Sequence, residues 1–358
     1  MRKGCRLLAW SSLFLLLTQS LFAQSDSSQF SLMVYADVYT SVSPKVKRSH
    51  NAPSYIYSYH RLNEVALNMG LIDVGWRDGK RTSMQLGLMT GTYAQTNLQN
   101  EPVVFRMLYE ANVSYVVSLK QRVTLQAGVF PSHIGLETAI GVQNTTLSRS
   151  LQADNSPYYE TGIKATHTLL NNKGSIALCL LNGWQQMART DGQNKPAFGH
   201  QFTFTPNSKW VLNSSSFLGA MGNDTLGRMR YFHNAWLQYQ ANDRWQLLGG
   251  FDLGNERRGA PQYGGYWWST LQGIVRYTPN TRWAYAARWE RANDVHQHLF
   301  SFEKAEARRI HGYSINADCR LSETFRWRTE LRCLKEQYAA PRWMATMSLS
   351  CLLQKNSL

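Results

Sequence analysis

Cysteine is scarce in this sequence: Cys5, Cys179, Cys319, Cys333 and Cys351 are the whole set in 358 residues. No CxxC pair occurs and no spacing fits a zinc site, so neither a disulfide framework nor a structural metal is expected to hold the fold. The four cysteines beyond the N-terminal segment read as small apolar fillers. Long apolar runs are also missing. After residue 23 nothing approaches the roughly 20 residues that a helix needs to cross hydrocarbon, and the mean hydropathy is −0.38. No Pro/Gly/Ser linker or charge block divides the chain, which argues for one architecture from end to end. Catalytic signatures are lacking as well. The nine histidines include no neighbour arrangement for a nucleophile and its orienting partner. Gly249-Gly250 and Gly264-Gly265 fit strands or turns that need small residues, not a phosphate cradle. His296 and His298 form one His-x-His without an evident carboxylate or thiolate partner, which favours a surface loop over a metal site. No catalytic residue, metal site or cofactor is expected.

What is present begins at the N-terminus. Arg2, Lys3 and Arg6 precede an apolar run from Leu7 to Leu17, and Leu21-Phe22-Ala23 follows. This is the pattern of a secretory signal peptide cleaved after Ala23, so residues 1–23 are read as a leader and 24–358 as a single exported domain. Cys5 precedes the apolar run and is not placed for lipidation. Removing the three basic leader residues leaves 38 − 3 = 35 Lys and Arg against 23 Asp and Glu, a net charge near +12. Export argues against nucleic acid as the partner of that charge. An anionic membrane surface or a channel that attracts anions remains.

Alternation recurs along the rest of the chain. Ala111, Val113, Tyr115 and Val117 share one face with Tyr109, opposite Glu110, Asn112 and Ser114. Trp245, Leu247, Gly249, Phe251 and Leu253 oppose Arg244, Gln246 and Asp252, and the last apolar face runs Trp343, Ala345, Met347, Leu349, Cys351, Leu353. Short turn signals such as Arg77-Asp78-Gly79-Lys80, Ala241-Asn242-Asp243 and Pro279-Asn280-Thr281 alternate with longer connections near 41–59, 95–104, 131–157, 187–196, 221–228, 255–265 and 293–307. The expected fold is therefore all-β: a closed antiparallel transmembrane barrel of about 16 strands, with short periplasmic turns and longer extracellular loops. Trp76, Trp210, Trp245, Trp283, Phe325 and Trp327 lie beside the short turns, with Tyr239 and Tyr277 just before two of them. Their recurrence there reads as an aromatic girdle at one membrane interface.

If the apolar faces meet lipid, the polar faces line a lumen. Arg276, Arg282, Arg288, Arg320, Arg326, Arg328 and Arg332 then become lumen-lining basic candidates, interspersed with Glu290, Asp318 and Glu330. Such a wall either raises the local anion concentration or braces the barrel with ion pairs. The segment from Pro131 to Pro157 is 27 residues long, far beyond the usual connection of about 4 to 6 residues. In a wide barrel it is expected to fold inward as a constriction. Its candidate solute-facing residues are His133, Glu137, Arg149 and Asp154, with Tyr158, Glu160 and Lys164 on the strand that leaves it.

FPSHIGLETAI (Phe130 to Ile140), SRSLQADNSPYYETGIK (Ser148 to Lys164) and LNGWQ (Leu181 to Gln185) resemble core motifs of the second, OmpL-like type of β-barrel porin. FSLMVYADVYTSV, HRLNEVALNMGLIDVGW and RYFHNAWLQYQ fit the same pattern. The resemblance implies an outer-membrane porin of a two-membrane bacterium, passing small hydrophilic solutes by diffusion. It carries no ion site or substrate. One departure is the ending QKNSL, where many barrels end on an aromatic residue used in assembly.

The expectation is thus a passive, anion-preferring porin in contact with outer-membrane lipid, small solutes or ions, and the barrel assembly machinery, with a homo-oligomer open. A plugged barrel serving as receptor, adhesin or structural protein is the alternative. An outer-membrane hydrolase is a weaker one.

Overall fold

A computed structural model describes residues 28–44, 50–120, 122–169, 172–257 and 264–356. The expected leader lies outside these residues. The strands are β1 (Gln29–Val42), β2 (Val65–Arg77), β3 (Thr82–Thr90), β4 (Leu108–Ser118), β5 (Val123–Pro131), β6 (Tyr159–Thr168), β7 (Gly174–Leu181) and β8 (Ala197–Asn207). They continue as β9 (Trp210–Ala220), β10 (Met229–Gln240), β11 (Trp245–Arg257), β12 (Gly265–Tyr277), β13 (Trp283–Asp294), β14 (Arg309–Arg320), β15 (Phe325–Glu336) and β16 (Arg342–Asn356). Each strand pairs antiparallel with its neighbours in sequence, and β1 pairs with β16 to close the barrel. Closure leaves no unpaired edge, the condition that a bilayer imposes on a spanning sheet.

The short turns are fastened by their own side chains. Asp78 Oδ1 accepts from the amides of Lys80, Arg81 and Thr82 at 2.7, 2.8 and 2.9 Å. Asn280 Oδ1 likewise accepts from Arg282 and Trp283, Asn242 Oδ1 from Arg244 and Trp245, and Ser322 Oγ from Thr324 and Phe325. These are the local bonds that make Asp, Asn and Ser turn formers.

The strand alternation separates two faces. The apolar set points outward and is exposed: Trp245, Leu247, Phe251 and Leu253 on β11, and Trp343, Met347, Leu349 and Leu353 on β16. Tyr109 departs from the predicted pattern. It is buried, because the β3–β4 pairing shifts register between Gly87 and Leu88. Beside the short turns, Trp210 stacks on Tyr239 with ring centroids 4.2 Å apart and Trp245 lies over Tyr277 at 4.6 Å, so the girdle is built from cross-strand aromatic pairs. The four cysteines beyond the leader are unpaired.

Buried apolar packing lies inside the barrel, toward the long-loop end. Tyr55, Ile56 and Leu62 of the first long loop cluster with Leu151 of the third and with Phe300 and Phe302 of the seventh. The second long loop contains a short helix, α1 (Thr92–Asn97), whose Tyr93 and Ala94 join a second cluster with Tyr35, Met69 and Tyr158.

Candidate pore

The third long loop runs between β5 and β6. It holds a 3-10 turn at Gly141–Gln143 and one helical turn, α2 (Leu151–Asp154), capped by Ser150 Oγ, which accepts from the Ala153 amide at 3.1 Å. The loop crosses to the inward face of β11–β15 and is bound there atom by atom. The Leu147 amide donates to Asn316 Oδ1 (2.8 Å), Ser148 to Glu330 Oε2 (3.0 Å) and Leu151 to Glu290 Oε2 (2.7 Å). Arg276 donates to the Thr145 carbonyl, Arg288 to Ser148, Arg326 to Val142, and Arg328 to Gly141 and Asn144. Gln152 Nε2 donates to Asp252 Oδ1 at 2.8 Å on β11. A Cβ at Gly250 would collide with Gln152 Oε1, so a residue without a side chain makes room for this contact.

The arginine candidates therefore divide. Arg288, Arg328 and Arg332 are buried and matched by carboxylates: Arg328 with Asp318 (2.9 Å), Arg332 with Glu290 (2.6 Å), Arg288 with Glu330 (3.1 Å). Buried guanidinium groups need such partners, and here they also satisfy the loop carbonyls. Arg276 and Arg326 are half-buried. Arg282 is exposed at a short turn, and Arg320 at the next one pairs with Glu323.

The loop candidates depart from the expected solute-facing arrangement. Arg149 (4% exposed) binds the Tyr93 hydroxyl and the Ala153 carbonyl. Asp154 Oδ2 accepts from the Tyr57 and Ser58 amides at 3.0 and 3.4 Å and so ties the first loop to the third. Glu137 Oε2 accepts from the Ser150 amide at 2.8 Å. His133 is buried, with Nε2 2.8 Å from the Ser216 carbonyl on β9. Burial lowers its pKa to about 4, partly opposed by the bond to Ser216 and reinforced by Lys164 and His200. Tyr158 and Glu160 are buried where the loop joins β6. Lys164 is half-buried, its ammonium 4.7 Å from the Phe130 ring centroid. Arg149, Asp154, Glu137 and His133 hold the loop through these bonds, whereas both carboxylate oxygens of Glu160 and the Tyr158 hydroxyl are buried without a hydrogen-bond partner among the described residues. The segment's turn chemistry is readable in the sequence, whereas its partners on β11–β15, more than a hundred residues away, are not.

Open space lies beside the opposite wall. A cavity of about 670 Å³ at the short-turn end of β1–β5 is lined by Asp73, Gln85, Glu110, Asn112 and Gln126, with Arg77 at its edge. Asp73 and Glu110 are not among the predicted site residues, although inward-facing carboxylates on alternating strands are a sequence signal for a lumen wall. His298 also departs from expectation. It meets Glu256 at 2.9 Å, alongside Arg228 and Arg230, so its carboxylate partner comes from a distant strand. Among the described residues no group of three or more potential ligands is placed to hold a metal ion.

The sequence matches, over residues 29–346, the family described as putative beta-barrel porin-2, OmpL-like. The chain belongs to this family. It is accordingly a porin-type barrel of the outer membrane of Gram-negative bacteria. No curated protein matches the sequence. Solved structures share the fold at low identity. The anion-selective porin from Comamonas acidovorans aligns with a TM-score of 0.58 at 9% identity over 91% of this chain and 100% of its own. The outer membrane channel DcaP of Acinetobacter baumannii gives 0.62 at 6% over 93% and 99%. OmpF of Salmonella typhi gives 0.56 at 10% over 91% and 97%.

Proposed function

We propose that this porin-family barrel is a passive diffusion channel for small hydrophilic solutes, exported by a cleaved leader at 1–23 and inserted by the barrel assembly machinery. The third loop acts as its constriction. The observation that supports this reading is the set of bonds from Arg276, Arg288, Arg326 and Arg328 to the carbonyls of residues 141–148, which fix the loop against the inward face of β12–β15. The same loop also packs Ala139, Ile140 and Val142 against Tyr35, Met69 and Leu71 of β1–β2, so it narrows the barrel from both sides and leaves the cavity at the short-turn end of β1–β5. Anion preference, in this reading, rests on Arg326 and Arg282, which have no ion pair among the described residues, and on Arg276, half-buried with Asp318 3.6 Å away, together with the overall positive charge.

A second reading is a plugged barrel that binds at its surface. The packing of Tyr55, Leu151 and Phe300 from three loops favours it, because an apolar cluster at the mouth obstructs water.

Single-channel current from the chain 24–358, refolded in detergent and placed in a planar bilayer under a salt gradient, separates the two. Stable ohmic steps with a reversal potential on the anion side are expected, and deleting Gly135 to Asn155 should enlarge them. Silence from a folded, heat-modifiable barrel would support the plugged reading instead.

A further inference from the structure

The outward face of β13–β16 carries three rows in strict register. Nearest the long loops, Arg291 on β13 faces His311 on β14, which faces Lys335 on β15. Arg309, exposed on the same face two residues nearer the loops, extends this row. Two residues toward the middle, Trp289 pairs with Tyr313, and Cys333 pairs with Trp343. The three aromatic rings are 37%, 52% and 51% exposed. Two residues further in, Ala287, Ile315, Leu331 and Ala345 form a row of small and aliphatic side chains. This last row floors an apolar groove of about 620 Å³ that Ala317 and Met347 extend.

The spacing has a physical reading. Aromatic rings mark the boundary between hydrocarbon and headgroups, and two strand residues rise about 7 Å. The basic row therefore stands at headgroup level and the groove within the acyl region directly beneath. The positive charge is uncompensated. Arg291 donates to Asn293 Oδ1 and Lys335 to the Ala339 carbonyl, but among the described residues no carboxylate lies within ion-pair distance of Arg291, Arg309, His311 or Lys335. Of the nearby acids, Asp294 points inward and accepts from the Leu299 and Phe300 amides, Glu336 points inward and accepts from the Tyr55 hydroxyl and the Glu303 amide, and Glu303 and Glu306 are exposed in the loop before β14, with Glu303 paired to Arg342.

We infer that this face binds a phosphorylated glycolipid of the outer leaflet, its phosphates on Arg291, Arg309, His311 and Lys335 and one acyl chain in the groove. Charge complementarity selects the phosphates, and the in-register groove selects a lipid over a free anion. The inference rests on the outer-membrane orientation, with long loops outside, and not on conductance.

The test is native mass spectrometry of the chain 24–358 in detergent, titrated with diphosphorylated lipid A, its dephosphorylated form, or phosphatidylglycerol. Lipid A should be retained and the dephosphorylated form lost. A triple variant, Arg291→Gln/Arg309→Gln/Lys335→Gln, should bind lipid A roughly 100-fold more weakly, from about five-fold for each surface charge removed. Ala317→Trp, which fills the groove and leaves the basic row intact, should also weaken retention, whereas Lys120→Gln/Arg122→Gln at the opposite rim should not. Heat-modifiable migration establishes that each variant is folded. Undiminished lipid A binding by the folded triple variant would overturn the proposal, as would equal retention of phosphatidylglycerol, which would indicate a nonspecific charge effect.

Discussion

On β12–β15 the inward arginines Arg288, Arg328 and Arg332 are buried beneath the third loop and matched by Glu330, Asp318 and Glu290. At the short-turn end of β2–β5 the inward side chains include the carboxylates and amides Asp73, Gln85, Glu110, Asn112 and Gln126, which line open space. Counting charges would make the first wall the dominant source of field in the lumen. The geometry assigns it a different part, because a guanidinium paired at about 3 Å with a carboxylate and capped by loop carbonyls presents a compensated dipole to a distant ion. The first wall holds the loop through its arginines; the second packs on Ala139, Ile140 and Val142 of the same loop through Tyr35, Met69 and Leu71 and, at its short-turn end, lines the remaining cavity.

The strongest way to break this contrast is to remove one anchor on the sealed wall. Arg328→Met leaves buried Asp318 with only the longer contact to Arg276 at 3.6 Å and frees the Gly141 and Asn144 carbonyls. Loss of one partner of a buried pair costs about 3–5 kcal/mol. A lower unfolding midpoint, read from the heat-modifiable band, and noisier single-channel current should follow. Pairing the change with Asp318→Leu should recover part of the loss, since no poorly matched carboxylate is then left buried and the Arg276 that loses its 3.6 Å contact is only half-buried. An unchanged midpoint in Arg328→Met would show that the pair does not secure the loop.

The loop's far contact offers a smaller lever. His133 is neutral and buried against Ser216, with a pKa of about 4, whereas an unfolded histidine titrates near about 6.5. The folded value is depressed, so this contribution is complete above about pH 6.5 and is lost as pH falls toward 4. By pH 5 the loss is on the order of 2 kcal/mol. Hydrogen exchange of the 131–157 amides should therefore quicken between pH 7 and 5. In His133→Gln, which keeps a donor for the Ser216 carbonyl, that pH dependence should vanish. A loop equally protected at both values would sink this account.

These contrasts also explain what the sequence could disclose. Strand alternation and the Asp78, Asn242 and Asn280 turns are local, so the barrel and its strand number can be read from the order of residues alone. The inward direction of the third loop is legible from its length and from a barrel wide enough to receive it. The roles of Arg149 and Asp154 are not. Each is polar and sits in a loop, which reads as solvent-facing, yet their partners Tyr93, Tyr57 and Ser58 belong to other loops that only the closed barrel brings near. The same limit hides the cavity wall. Alternation places Glu110 on the polar face of its strand, but nothing local distinguishes a carboxylate beside open space from one beneath a loop.

The two walls can finally be compared by selectivity, where the expected effects are smallest. Neutralising the open wall with Asp73→Asn/Glu110→Gln should move the reversal potential further toward anions. Neutralising the half-buried Arg276 and Arg326 as Gln should move it toward cations. Each charge acts on an ion across hydrated space, where one charge at about 4 Å contributes roughly 1 kcal/mol, so a permeability ratio should change by at most about five-fold per residue. If the buried arginines set the field, Arg332→Gln/Glu290→Gln, a neutral exchange of an internal pair, would shift the ratio as strongly as the open-wall variants. If the compensated wall is electrically quiet, that exchange should leave the ratio unchanged while loosening the loop. Reversal potentials for the three variants, measured under one salt gradient, therefore assign selectivity to one wall.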